Sequence, residues 1–211
     1  MNRILIVEDQ RLEKQYMESI IESDGRCTLA GTLSNAAAAE IFCQGHSVDL
    51  ILMDICTENH ENGLDAAAVI KRSSPEIKIV IVTSTVENDA LERARGCGVE
   101  SFWYKDSSPE ELADVIERTL AGESVYPERV PAARFGQTTN YDITEAEWRV
   151  LRLLIDSVDN ADIARKLCLS EATVRTHIAH VLNKTGYRNK QQLSIAIIDS
   201  KFVIPPPDSR S

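Results

Sequence analysis

Aromatic side chains are scarce, at 5% of the chain, so any core has to be built mainly from Ile, Leu, Val and Ala. No apolar stretch approaches the roughly 18 residues of a membrane-spanning helix. The opening Met1-Asn2-Arg3 leads into only four apolar residues, too few for a secretory leader. The five cysteines, at 27, 43, 56, 97 and 168, contain no C-x-x-C pair and are odd in number. That leaves reduced thiols in the cytoplasm as the expectation. A global excess of basic charge is also missing: the net charge is −10, which taken alone argues against a nucleic-acid partner.

The distribution of charge argues the other way. Residues 1–123 carry 11 basic and 23 acidic side chains, whereas residues 165–190 carry 6 basic residues against Glu171 alone. An acidic front and a locally basic rear imply two tasks, and 211 residues suit two small domains.

Four short runs rich in Ile, Val and Leu mark the first half, at 4–7, 50–53, 79–82 and 102–104, with a weaker run at 27–33. Such runs read as strands covered on both faces of a parallel sheet. Helical spacing separates them: Leu12, Tyr16, Met17, Ile20 and Ile21, then helices near 35–44, 63–73 and 87–97. A last one carries Leu112, Val115, Ile116 and Leu120, with Ser108 as its cap, Pro109 at its first position and Glu111 closing a capping box. Five βα units predict a doubly wound α/β sheet with its ligand site outside the carboxyl ends of the strands.

Polar residues gather at those ends. Glu8 and Asp9 follow the first strand, Asp54 the third, Thr83 and Ser84 end the fourth, and Lys105 follows the fifth. Three crowded carboxylates repel one another, and a hard divalent cation such as Mg²⁺ relieves the repulsion. Asp54, directly after Leu-Ile-Leu-Met, is the best-placed nucleophile for an aspartyl phosphate. Lys105 then serves as a point charge for phosphoryl oxygens and Thr83 as a hydrogen-bond donor. Each residue alone has a bland reading as a solvated loop or a helix cap; the five together at strand ends do not.

The segments Ile-Leu-Ile-Val-Glu-Asp, Leu-Ile-Leu-Met-Asp, Ile-Val-Ile-Val-Thr-Ser and Phe-Trp-Tyr-Lys-Asp resemble the receiver domain of response regulators over residues 2–121. The resemblance implies a flavodoxin-like sheet of strand order 2-1-3-4-5. It implies Asp54 as phosphoacceptor, Mg²⁺ held by Asp9, Asp54, the backbone carbonyl of Cys56 and, through water, Glu8, and Thr83 with Phe102 as the switch pair. The loop after Asp54 departs from the family: Glu58 replaces its usual proline, and the loop looks one residue longer before Gly63. Cys56 and Thr85 flank the expected entry of attacking water.

Residues 124–140, with two prolines and no periodicity, read as linker. An all-helical domain follows over 141–204, opening with a Thr144/Glu147 capping box, and 205–211 form a disordered tail. A short helix with Ile163, Ala164 and Leu167 joins a longer one through Cys168-Leu169-Ser170, as in a helix-turn-helix. Val174, Ile178, Val181 and Leu182 share the longer helix's inner face; Arg175, Thr176, Ala179, His180 and Asn183 face outward. The outer face suits the major groove, while Lys184, Arg188 and Lys190 suit phosphates. Amphipathicity alone equally allows a three-helix module that binds protein.

The run Leu169-Ser-Glu-Ala-Thr-Val-Arg-Thr-His-Ile178, with Asn160-Ala-Asp-Ile-Ala164 and Arg188-Asn-Lys190, is similar to LuxR-type helix-turn-helix domains over about 141–200. Together the two resemblances imply a NarL/FixJ-type transcriptional regulator, not an enzyme beyond its own phosphoryl chemistry. Expected partners are a sensor histidine kinase, promoter DNA, a second copy of the chain when phosphorylated and RNA polymerase, with no membrane. Two rivals remain: a haloacid-dehalogenase-type phosphatase, which requires an acid/base Asp where Cys56 stands, and an adaptor whose helical domain does not bind DNA.

Overall fold

The computed structural model describes residues 1–84, 86, 89–105, 111–132, 134–156 and 159–199, without the side chains of residues 60, 155, 156, 198 and 199. Thr85, Ser108, Pro109 and the tail from 205 lie outside the described residues. The chain forms two compact units, one reaching from Met1 to Val130 apart from residues 86–88, the other beginning at Pro131.

In the first unit the apolar runs become five parallel strands: β1 (Asn2–Val7), β2 (Cys27–Leu33), β3 (Leu50–Met53), β4 (Lys78–Thr83) and β5 (Ser101–Tyr104). Their order in the sheet is β2-β1-β3-β4-β5, as expected for the flavodoxin-like topology. Between them lie α1 (Arg11–Ser23), α2 (Ala38–Gly45), α3 (Gly63–Ser73), α4 (Ala90–Gly96) and α5 (Leu112–Leu120). Side chains alternate across a strand. Ile4, Ile6, Leu50, Leu52, Val80, Val82 and Trp103 therefore share one core with Met17 and Ile21 of α1 and Leu112, Val115 and Ile116 of α5. The alternate set, Leu5, Val7, Ile51, Met53, Ile79, Ile81 and Phe102, is equally buried. Both faces are dry, which is why the strands read as continuous apolar runs.

Register carries the strand ends to one edge. Val7 lies beside Met53, Met53 beside Ile81, and Thr83 beside Tyr104. Helix α5 starts later than the sequence suggests: Glu111, expected inside its first turn, has extended backbone and sits at the N-cap without a side-chain cap bond.

The second unit packs α6 (Glu145–Asp156), α7 (Asn160–Leu167), α8 (Glu171–Thr185) and α9 (Lys190–Asp199) around Trp148, Leu151, Leu154, Ile163, Val174, Ile178, Val181 and Leu193. Asp159 caps α7 by accepting from the Ala161 N–H, and Ser170 caps α8 by accepting from the Thr173 N–H. The turn between them is Cys168-Leu169-Ser170, with Cys168 in the left-handed region at φ 54°.

The stretch 124–140, expected to be linker, is instead packed at both ends. Val125 belongs to the receiver-side core, and its carbonyl accepts from the Phe102 N–H at 2.8 Å. Farther on, Arg134 and Phe135 pair antiparallel with Thr139 and Thr138 in a small hairpin. Phe135 is buried in the helical core, 6.1 Å from the Trp148 ring and 5.8 Å from Tyr187. The Gln137 N–H closes the end of α8 by donating to the Thr185 carbonyl at 2.9 Å. Gly136, at φ 61°, approaches that carbonyl so closely that a methyl group there would lie 2.1 Å from its oxygen. Two strand residues on either side of a turn are too short to give a period, so pattern reading passes over them.

A second close approach positions the loop after Asp54: a methyl group on Gly63 would fall 1.9 Å from the Asp54 backbone oxygen. Gly63→Ala is therefore expected to destabilise the first unit by about 1–3 kcal/mol, read as an earlier urea midpoint, while the helical unit unfolds as before.

Candidate functional site

The carboxyl edge of the sheet brings Glu8, Asp9, Asp54, Thr83 and Lys105 together. Glu8 and Asp9 leave the end of β1, where the Glu8 carboxylate also accepts from the Gln10 N–H at 2.9 Å. Asp54 leaves β3; its N–H bonds the Val7 carbonyl, and its own Oδ1 accepts from the Ile55 N–H at 2.7 Å. Lys105 leaves β5 with its N–H bound to the Thr83 carbonyl. Its Nζ lies 2.5 Å from Glu8 Oε2 and 3.5 Å from Asp54 Oδ2. Glu8, Asp54 and Thr83 are buried.

Burial is the largest influence on Asp54 and raises its pKa above the ordinary aspartate value, against the Lys105 charge and hydrogen bonds from the Thr83 side chain and the Ile55 N–H. Glu8 is raised too, by burial and then by the neighbouring Asp54 charge. Burial pulls Lys105 down, but the Asp54 and Glu8 carboxylates outweigh it and hold the ammonium firmly protonated. Glu8, Asp9 and Asp54 each bring one carboxylate oxygen into a group no wider than 4.8 Å. An all-oxygen donor set of this kind suits a hard cation such as Mg²⁺. Cys56 lies two residues beyond Asp54, backbone-paired with Asn62.

The loop after Asp54 is held by hydrogen bonds where the family's proline is missing. Cys56–Asn62 and Thr57–Glu61 form a two-residue ladder closed over Asn59, at φ 63°. The Thr57 hydroxyl accepts from the Ala36 N–H and donates to the Glu61 carbonyl, each at 3.0 Å. Glu58, at the proline position, donates its N–H to Ser34 and accepts at its carbonyl from the Asn35 amide. Asn62 then caps α3, accepting from the Leu64 N–H at 2.8 Å.

Phe102, the expected switch aromatic, is buried and points away from the Trp103 face, its ring 4.8 Å from Tyr104 and 6.2 Å from Tyr126.

On the second unit, Arg175, Thr176, Ala179, His180 and Arg188 are exposed, and the first four share the outer face of α8. Arg175 lies 3.9 Å from Glu171, a distance and exposure at which an ion pair contributes little. Two of the lysines expected at phosphates have partners within their own domain. The Lys184 ammonium donates to the Asp142 carbonyl at 2.8 Å and to Glu147 Oε2 at 2.7 Å, so two of its three protons serve its own domain. The Lys190 ammonium donates to Asn160 Oδ1 at 2.6 Å, and burial lowers its pKa. Charge alone does not tell a lysine aimed at DNA from one turned inward to a buried carboxylate.

That buried carboxylate, Glu147, was legible only as a helix cap. It accepts from the Thr144 N–H and hydroxyl while its own N–H donates to the Thr144 hydroxyl, completing the expected box. The third partner, Lys184 of α8, lies 37 residues away in sequence, beyond any local pattern.

An acidic pocket with an apposed lysine on one unit and a helix-turn-helix on the other define a signal-responsive DNA-binding regulator. The chain belongs to the response regulator family: the response regulator receiver domain matches residues 4–117, and the bacterial regulatory proteins of the luxR family match residues 142–197. The response regulator protein VraR of Staphylococcus aureus is 29% identical over 200 residues, spanning 92% of this chain and 94% of VraR. Among solved structures, RcsB of Salmonella enterica serovar Typhimurium, bound to the promoter P1flhDC with the phosphomimetic BeF3-, matches with a TM-score of 0.60 at 18% identity, over 93% of this chain and 97% of that one. A LuxR-family two-component response regulator from Aurantimonas sp. SI85-9A1 matches with a TM-score of 0.54 at 24% identity, over 58% of this chain and 87% of that one. At these identities the structural likeness shows the fold. Among the described residues no helix is long and apolar enough to cross a membrane.

The Glu147–Lys184 pair has a measurable weight. Burial pushes Glu147 up, yet the bonds from Lys184 and Thr144 outweigh it and leave the carboxyl below its ordinary value of 4.5. A carboxyl lowered on folding stabilises fully above its unfolded value, and that contribution is lost as pH falls through the folded one. With the lysine side chain 32% exposed, Lys184→Met is expected to destabilise the helical unit by about 1–2 kcal/mol at neutral pH. Urea unfolding should show the difference from wild type shrinking steadily below the ordinary glutamate range.

Proposed function

We propose that the chain is a phosphorylation-controlled transcription regulator in which Asp54 accepts a phosphoryl group and the α8 outer face reads promoter DNA. The observation that carries this reading is the meeting of Asp54, Glu8, Asp9 and Lys105 at one sheet edge. One Asp54 carboxylate oxygen attacks phosphorus of a phosphohistidine on a sensor kinase; the nitrogen–phosphorus bond breaks, and the imidazole leaves with its electron pair. Lys105, held protonated, shifts from Asp54 to an incoming phosphoryl oxygen. The Thr83 hydroxyl, bonded to Asp54 in the resting state, turns to another.

Asp9, Asp54 and the Cys56 carbonyl would hold Mg²⁺, with Glu8 reaching it through water. Bound there, the cation offsets the charge of carboxylates and phosphoryl group, lowering the pKa values that burial raises. Inward movement of Thr83 leaves room for Phe102. Phosphorylation then favours pairing of two copies, and a dimer engages two half-sites with higher affinity than either domain alone. Structures of RcsB dimers bound to DNA support this arrangement by analogy of fold. Within it, the receiver takes in residues 1–126 and the DNA-binding domain begins at the hairpin near 134, so the expected linker shortens from both ends. RNA polymerase is a further partner of a promoter-bound regulator, and the setting is cytoplasmic.

Arg175, Thr176, Ala179 and His180 lie at the DNA surface, and Arg188 serves phosphate. Lys184 and Lys190 contribute through the domain's own framework.

Acetyl phosphate with Mg²⁺ tests the reading directly. Intact-mass measurement should show one phosphoryl group on the wild type, none on Asp54→Asn, and none on the wild type in excess EDTA; full labelling of Asp54→Asn would refute the acceptor assignment. On the DNA side, Arg175→Ala is expected to lower specific affinity by about 1–3 kcal/mol and to narrow the preference for promoter over unrelated duplex. Equal binding of both duplexes by the wild type would favour the adaptor reading.

A further inference from the structure

Tyr126 follows α5 and meets β5, α4 and the turn between them at once. Its ring lies 6.2 Å from Phe102 on β5. Over the ring stands the guanidinium of Arg95 on α4, with its carbon 4.4 Å from the ring centroid. Its hydroxyl donates to the Val99 carbonyl at 2.9 Å, in the turn that joins α4 to β5. Burial pushes the phenol's pKa up, so it remains a donor across the physiological range.

The backbone beside it is fixed as well. The Val125 N–H donates to the Ser101 hydroxyl at 3.0 Å, and its carbonyl accepts from the Phe102 N–H. Beta-strand β5 is the sheet's edge, and this short segment satisfies polar groups that the edge would otherwise offer to solvent. The Val125 side chain enters the α1/α5 core, while the Tyr126 ring turns to Phe102 and α4, so the two residues straddle the edge.

We propose that Tyr126 is a positioning residue that couples the Phe102 ring to the start of the connector, so that the connector's path follows the state of the switch. The inference rests on the Thr83/Phe102 reading above. When Phe102 moves toward Thr83, one wall of the Tyr126 site goes with it. The ring then either follows, carrying the backbone after Val125, or loses its packing and the Arg95 contact. In both cases the first residues after the receiver are repositioned, although they touch neither Asp54 nor the acidic pocket. A cation over an aromatic face contributes about 0.5–2 kcal/mol, the same scale as a typical allosteric coupling of 1–3 kcal/mol.

The test compares full-length wild type, Tyr126→Leu and Tyr126→Phe, each with and without acetyl phosphate and Mg²⁺. Intact mass reports phosphoryl uptake, and fluorescence anisotropy reports promoter binding. Phosphorylation should raise wild-type affinity within the roughly 5–150-fold range of such couplings. Tyr126→Leu, which keeps apolar volume, should take up phosphate at the wild-type rate and bind DNA unchanged without phosphate, yet show a gain below about twofold. Tyr126→Phe, which keeps the ring, should retain most of the gain. Normal uptake with an undiminished gain in Tyr126→Leu overturns the inference alone. Absence of phosphoryl uptake by the wild type overturns the proposed function and the inference with it.

Discussion

Everything in the first unit is subordinate to keeping one ammonium between two buried carboxylates. Lys105 reaches Glu8 and Asp54 across 97 and 51 residues of sequence, so the contact exists only when β1, β3 and β5 are in register. A buried ion pair of this kind is weak evidence for stability, because removing its members from water offsets much of their attraction. Its value lies in readiness. The groups are buried, close and fixed in advance, so the charge at this edge need not be gathered from solvent. The apolar strands beneath, buried on both faces, supply the rigidity.

Much of this could be read in the sequence, because each feature leaves a local trace. Short apolar runs mark four of the five strands, and each of those runs is followed by a polar residue of the pocket. The Thr144/Glu147 box was visible for the same reason. What escaped reading depends on distance or on absent period. The Glu147–Lys184 bond joins two helices, and no local pattern on either helix announces it. The 134–139 hairpin carries two paired residues per strand, below any detectable alternation. The α5 start was misplaced because Ser-Pro followed by Glu is a strong cap signature, whereas Glu111 has extended backbone and the helix begins at Leu112.

The altered loop after Asp54 shows how one constraint can be met by another. A proline narrows the backbone before folding; here Thr57, Asn35 and Asn62 hold it afterwards through hydrogen bonds. The Gly63 backbone must still approach Asp54, and no side chain fits there. The two solutions differ in where the entropy is removed, in the unfolded chain for proline and in the folded one for the ladder.

The small hairpin ahead of the helical unit has a consequence for how such a module can be inherited. Because Phe135 sits between Trp148 and Tyr187 and Gln137 closes the end of α8, the cooperative unit begins before the first residue that any helix-turn-helix pattern recognises. A recombination event that joined this domain to another sensor at its first helix would leave an aromatic socket empty and the reading helix unterminated. Exchange between regulators must therefore carry the preceding dozen residues along, and the apparent spacer is part of the cargo.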